Sequence, residues 1–180
     1  MAELKNINPY IDDDISTLKH KVCYIEASRG CPYKCGFCLA GLDNKVRFLD
    51  IENIKQNLLF LMQNAKTIKF LDRTFNANVN FAISIIDFIV KNHKPGNIFQ
   101  FEIKADVYQE KFVEFIKNNV PKGLIRFEIG IQTTNEKANS AVLRKQNYEN
   151  IKRFINDISD IVEVHRSEEH TSELQSPNTI

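Results

Sequence analysis

Three cysteines fall within eight residues, Cys31-Pro32-Tyr33-Lys34-Cys35-Gly36-Phe37-Cys38, at the spacing C-x3-C-x2-C. No other stretch constrains the chain so tightly. Thiols this close together on one loop can turn toward a single metal centre, provided the loop leaves a rigid support. The apolar run Lys21 to Ala27 reads as that support, a strand, and Ser28-Arg29-Gly30 suits a loop leaving its end. Iron–sulfur clusters are held by cysteine thiolates, ordinarily four of them. A three-cysteine loop therefore leaves one iron open to a substrate or cofactor. Zinc is the competing reading, although a structural zinc site normally shows two separated ligand pairs. No second CxxC or HxxxH pair follows, and His20, His93, His165 and His170 are scattered. A purely structural use of the cysteines is the third reading.

The spacing with Phe37 as the aromatic residue, C-x3-C-x-Φ-C, resembles the signature of the radical S-adenosylmethionine (SAM) superfamily. Three longer strings resemble its cobalamin-associated branch: Ser28 to Cys35, Phe70-Leu71-Asp72-Arg73-Thr74-Phe75-Asn76, and Phe127-Glu128-Ile129-Gly130-Ile131-Gln132-Thr133. The resemblance runs from about Lys21 to His165. It implies a partial (β/α)6 barrel in which Cys31, Cys35 and Cys38 bind three irons of a [4Fe–4S] cluster. The fourth iron would chelate the amino and carboxylate groups of SAM. Reductive cleavage of the sulfonium would release a 5′-deoxyadenosyl radical that abstracts hydrogen from an unactivated carbon. Phe37 would present its backbone to the adenine, and Asp72 would meet the methionyl amino group. The expected partners are a flavodoxin- or ferredoxin-like reductant and a small-molecule substrate. In the intact form the resemblance points to a cobalamin-dependent methyltransferase, with cobalamin held by a further domain. The alternative is a truncated remnant or zinc-binding module that holds metal without turnover.

Bland readings stand beside these roles. Asp72 equally suits an N-cap for the following turn. Arg73 suits a clamp on a carboxylate or cobalamin phosphate, or a surface ion pair. Asn76 suits a cap for the next helix. Glu102 alternates with Phe101 and Ile103, and Glu128 with Phe127 and Ile129, which turns both carboxylates into the barrel if the apolar residues face the helices. In the same register Gln132 reaches toward a ribose at the top. Lys69, Lys104 and Arg126 are the available partners for the two carboxylates, and a structural salt bridge is the competing reading.

The 180 residues suffice for one domain with a core. A formal net charge of +1 argues against a polyanionic partner, and no nucleic-acid-binding motif is present. The N-terminus lacks the apolar stretch of a signal peptide. The run Phe81 to Val90 is broken by Ser84 and Asp87 and is too short to span a bilayer. A cytoplasmic, reducing location follows, with the cysteines as thiols and Cys23 as core filling.

Strands are expected at Lys21–Ala27, Thr67–Asp72, Ile98–Lys104, Leu124–Ile131 and from Ile161 to His165. Helices are expected after the N-cap candidate Asp50, from Asn78 to Asn92, from Val107 to Asn118 and between Glu136 and Ile158. This alternation specifies an α/β fold with a parallel sheet, about four to five units of a barrel, and the unusual polar strings sit at the carboxyl ends of its strands. An open part-barrel is expected to expose a sheet edge and an apolar interior, hence poor solubility. Residues 1–20 read as an extended lead-in and 21–165 as the core domain. Residues 166–180 read as a non-native tail, because Arg166 to Ser176 resembles the in-frame translation of a sequencing-library adapter.

Overall fold

In the computed structural model, which describes residues 8–10, 12–42 and 45–167, strand and helix alternate from Val22 onward. The strands β1 (Val22–Ile25), β4 (Thr67–Phe70), β5 (Ile98–Ile103), β6 (Ile125–Gly130) and β7 (Glu163–Ser167) form one five-stranded sheet. Every pairing is parallel and the spatial order follows the chain. Parallel neighbours need a crossover, and helices supply it. These are α2 (Ile51–Asn64), α3 (Val79–Asn92), α4 (Glu110–Asn119), and the pair α5 (Glu136–Ala141) and α6 (Tyr148–Ile158). The expected α/β part-barrel is present. No described helix is long and apolar enough to cross a membrane.

Local chemistry sets the helix ends. Asp50 accepts a hydrogen bond from the Asn53 amide at 3.0 Å, capping α2 as expected. At α3 the cap is Asn78, which accepts from the Phe81 amide at 3.1 Å. Asn76 does not cap it. Its side chain instead donates to the Lys104 carbonyl at 3.0 Å and accepts from the Lys104 amide at 2.9 Å, tying the end of β4 to the end of β5.

The core lies between the sheet and the helices. Ile54, Leu58, Leu61 and Met62 of α2 are buried at helical spacing. Burial alternates strictly along β5 and β6, with Phe99, Phe101 and Ile103, then Ile125, Phe127 and Ile129, turned to the helices. Phe101 stacks on Phe70 with ring centroids 4.5 Å apart and meets Phe75 at 4.3 Å.

The opposite, concave face departs from expectation. One register row across the sheet reads Tyr24, Lys69, Gln100, Arg126, Glu163. The next row places Glu102 beside Glu128, and Glu128 beside His165. The expected apolar interior is therefore polar, because the residues alternating with the buried ones in these strands carry charge. Lys69 pairs with Glu128 at 2.8 Å, and Arg126 with Glu163 at 2.7 Å.

Three further features were not expected. The lead-in contains a one-turn helix, α1 (Ile15–Leu18), that buries Leu18 against the core. The Tyr10 hydroxyl donates to the Tyr24 carbonyl at 2.9 Å and accepts from the Tyr24 amide, closing the outer edge of β1. A short antiparallel pair, β2 (Ser28–Arg29) and β3 (Arg47–Phe48), brackets the cysteine loop. Strand β7 continues through Arg166 and Ser167, whose backbones pair with Ile129 and Gly130. The rest of the expected tail lies outside the described residues.

Candidate metal centre and cofactor cavity

The cysteine loop is held at its root, throat and tip. At the root, the Asp72 carboxylate accepts from the Ala27 amide at 2.9 Å and the Ser28 hydroxyl at 2.6 Å. At the throat, Ser28 pairs with Phe48 and Arg29 with Arg47. Gly30, with φ of 101°, then turns the chain into Cys31, a conformation that L side chains avoid. At the tip, the Gly36 amide donates to the Val142 carbonyl at 2.7 Å. A Cβ at Gly36 would lie only 3.4 Å from that oxygen, so glycine permits the close approach.

Under the loop lies one cavity at the carboxyl ends of the sheet strands. The loop contributes Cys31, Cys35, Cys38 and Phe37 to its lining. Arg73 enters from the end of β4, Glu102 from β5, Glu128 from β6, and Gln132 from just beyond β6. Residues singled out from separate stretches of sequence thus meet in one place. Arg73 lies 3.7 Å from Glu102. Glu128 accepts from Lys69 and, at 2.8 Å, from the Gln100 amide nitrogen. Lys69 is thus the partner that Glu128 finds among the three basic candidates; Lys104 and Arg126 pair elsewhere.

Asp72 is the exception. It is 1% exposed and does not line the cavity; both carboxylate oxygens are engaged by its own chain. Burial lifts its pKa above the ordinary carboxylate value, while the hydrogen bonds from Ser28 and Ala27 act in the opposite direction.

Thr74 and Arg144 of the cavity escaped the sequence reading, and Lys104, expected as a partner for Glu102 or Glu128, is engaged elsewhere. The Thr74 hydroxyl sits 3.4 Å from the Cys31 thiol. The Lys104 ammonium is paired with Asp106 and lies 4.6 Å from the Tyr33 ring centre. Burial, aided by the charge of Asp106, raises the Tyr33 phenol. Arg144 donates to the Gly130 carbonyl at 2.6 Å and reaches the Cys35 sulfur at 3.9 Å. It belongs to the polar connection between α5 and α6, where no periodicity or motif marks it. The Thr74 signal was present, since Thr74 lies inside the string that contains Asp72 and Arg73.

The donor set suits an iron–sulfur cluster: three soft thiols on one loop, none in a disulfide, all partly accessible and all facing one cavity. Among the described residues no three His, Cys, Asp or Glu side chains are gathered closely enough to hold an ion, the three thiols included. The cavity measures about 120 Å³, below the ~300 Å³ at which small-molecule pockets usually begin. The three thiols line this cavity without converging on one point.

A family model for the radical SAM superfamily matches residues 25–167, and the chain belongs to that family. Among solved structures, it resembles the radical SAM methyltransferase TsrM from Kitasatospora setae with tryptophan substrate and the SAM analogue aza-SAM bound. That match has a TM-score of 0.64 and 14% identity and covers 82% of this chain. A second TsrM structure, with cobalamin and a [4Fe–4S] cluster bound, matches with a TM-score of 0.63 and 14% identity over 81% of this chain. At this identity the likeness is one of fold. The chain spans 30% of TsrM's length in both cases. No curated protein matches the chain.

Proposed function

We propose that this chain is the SAM-cleaving core of a radical SAM enzyme, and that the complete protein is a cobalamin-dependent methyltransferase. The observation that carries the reading is convergence. Cys31, Cys35 and Cys38 share one cavity with Phe37, Arg73, Glu102, Glu128 and Gln132, which arrive from four separate stretches of chain. The three thiols would hold a [4Fe–4S] cluster, which when bound supplies the electron that cleaves the sulfonium of SAM. Phe37 would wall the adenine side. Gln132, with its backbone at the end of β6, would take the ribose. Arg73 and Arg144 offer guanidinium groups to the methionyl carboxylate. Asp72 supports this site from beneath: it fixes the root of the loop, and the methionyl amino group is left to Glu102 or Glu128. The likeness to TsrM supports methyl transfer and the need for cobalamin. A flavodoxin- or ferredoxin-like protein would supply electrons in a reducing, cytoplasmic setting.

The test is anaerobic reconstitution of the full chain with iron and sulfide, followed by SAM titration. A brown protein with cluster absorbance, lost in Cys35→Ala, is expected. A colourless protein retaining zinc would overturn the iron–sulfur reading. A cluster-loaded chain that ignores SAM would place it with metal-binding remnants.

A further inference from the structure

Arg144 is fixed along its whole length. Its amide donates to the Asn139 carbonyl at 2.9 Å. Its Nε donates to the Gln146 side-chain oxygen at 3.0 Å, and its Nη2 to the Gly130 carbonyl at 2.6 Å. Gln146 is tied in turn, its side-chain nitrogen donating to the Thr133 carbonyl at 3.4 Å. A guanidinium is a rigid plane, so fixing two of its nitrogens fixes the third. That third nitrogen, Nη1, points at the Cys35 sulfur 3.9 Å away.

Across that distance a full charge acts whether or not a hydrogen bond forms. Cys31 has a neighbour of a different kind, the neutral Thr74 hydroxyl at 3.4 Å. Arg144 is half-buried, so salt and water screen its charge only in part. Ordering so long a side chain costs rotamer entropy. The contacts with Gly130 and Gln146 would tie the α5–α6 connection to β6 with a neutral side chain as well. What the guanidinium adds is a positive charge held beside a ligand sulfur.

We propose that Arg144 sets the reduction potential of the cluster held by Cys31, Cys35 and Cys38, by keeping a positive charge beside the Cys35 sulfur. Cluster potentials respond to net charge and to hydrogen bonds at the sulfurs. One-electron reduction adds a negative charge to the cluster, and a fixed cation beside it favours the reduced form. The electron comes from an external low-potential donor, and Arg144 neither gains nor loses one. It is a positioning residue for charge, with Gln146 fixing its place. Nη1 carries two hydrogens, so this role is compatible with a contact to the carboxylate of SAM. The inference rests on the radical SAM reading, through the cluster alone.

The experiment is an anaerobic redox titration of the reconstituted full chain without SAM. Dithionite is the reductant, and the paramagnetic resonance signal of the reduced cluster is the readout. Arg144→Gln should make reduction about tenfold less favourable, a fall of about 59 mV in the one-electron midpoint. Arg144→Lys, which keeps the charge without the fork, should lie between that variant and wild type. Gln146→Leu leaves the net charge unchanged but releases the guanidinium, and should lower the midpoint by a smaller amount. Lys145→Gln makes the same charge change at the next residue, which is exposed, and should shift the equilibrium by less than about twofold. An unchanged midpoint in Arg144→Gln, or an equal fall in Lys145→Gln, overturns the proposal and leaves the cluster standing. If Arg144→Gln takes up no cluster, Gln146→Leu decides, and a wild-type midpoint there overturns the proposal. A wild-type chain that takes up no cluster overturns the radical SAM reading and this proposal with it.

Discussion

Replacing Asp72 separates two accounts of a residue at the centre of a family-like motif. If its carboxylate serves a ligand, Asp72→Ala should lower SAM affinity and leave stability almost untouched. The structure argues otherwise. The change would orphan the Ala27 amide and the Ser28 hydroxyl, in residues that are 0% and 3% exposed. An unsatisfied buried donor costs roughly 1–3 kcal/mol. The amide has no freedom to turn away, whereas the hydroxyl can rotate, so the expected loss is about 3 kcal/mol. With a urea m-value of about 2 kcal/mol/M, the unfolding midpoint should fall by about 1.5 M. Asp72→Asn keeps one acceptor oxygen and should lose less than half as much. Its pH profile adds a second readout. A folded pKa raised by burial means the folded chain holds this proton more tightly than the unfolded chain. That contribution is fully present below the unfolded value and is lost as pH rises through the folded one. Wild type should therefore lose stability relative to Asp72→Asn on going from about pH 4 to pH 7. A midpoint for Asp72→Ala within experimental error of wild type refutes the structural role; a wild type that gains on Asp72→Asn as pH rises refutes the raised pKa, because it would mean that the hydrogen bonds from Ala27 and Ser28 outweigh burial.

Other perturbations have equally direct outcomes. Cys35→Ser should abolish cluster absorbance after reconstitution, whereas Cys23→Ser, at a core position 1% exposed, should keep it and lower the thermal midpoint. Phe101→Ala removes the ring that touches Phe70 and Phe75 and should cost about 3–5 kcal/mol in denaturant unfolding. Asn78→Ala should cost about 1 kcal/mol by loss of the α3 cap; Asn76→Ala should cost more, since it leaves both the amide and the carbonyl of Lys104 without partners.

The parts of the fold legible in the sequence were those fixed by neighbours along the chain. Helical spacing in Ile54, Leu58, Leu61 and Met62 found α2, and the alternation in β5 and β6 found which side chains face the helices. The same alternation turned Glu102 and Glu128 into the cavity. What escaped depends on contacts between distant segments. The choice between Asn76 and Asn78 as a cap turns on the Lys104 backbone, more than twenty residues away. Arg144 lies 109 residues from Cys35, in a stretch whose composition says only that it is polar. The polar concave face was written in the residues that alternate with the buried ones along the strands, yet its pairing partners appear only once the register is set, as when Glu128 meets Lys69 from two strands away.

The loop's anchors explain why three thiols can face one cavity without meeting. Its root is pinned by Asp72 and its tip by Val142. The tip anchor is itself strained. Leu143 adopts φ of 55°, a left-handed conformation that costs a non-glycine residue roughly 1–2 kcal/mol. It is 71% exposed, so burial of its side chain does not compensate. The compensation lies in the backbone around it: the Val142 carbonyl takes the Gly36 amide, and the Arg144 amide donates to Asn139 at 2.9 Å. Strain of this kind persists where surrounding contacts over-determine it, and it tends to mark functional positions. The turn at Leu143 delivers both the carbonyl that holds the loop tip and the guanidinium that reaches Cys35. The connection between α5 and α6 is thus part of the cluster loop's scaffold, contributed by the far side of the sheet.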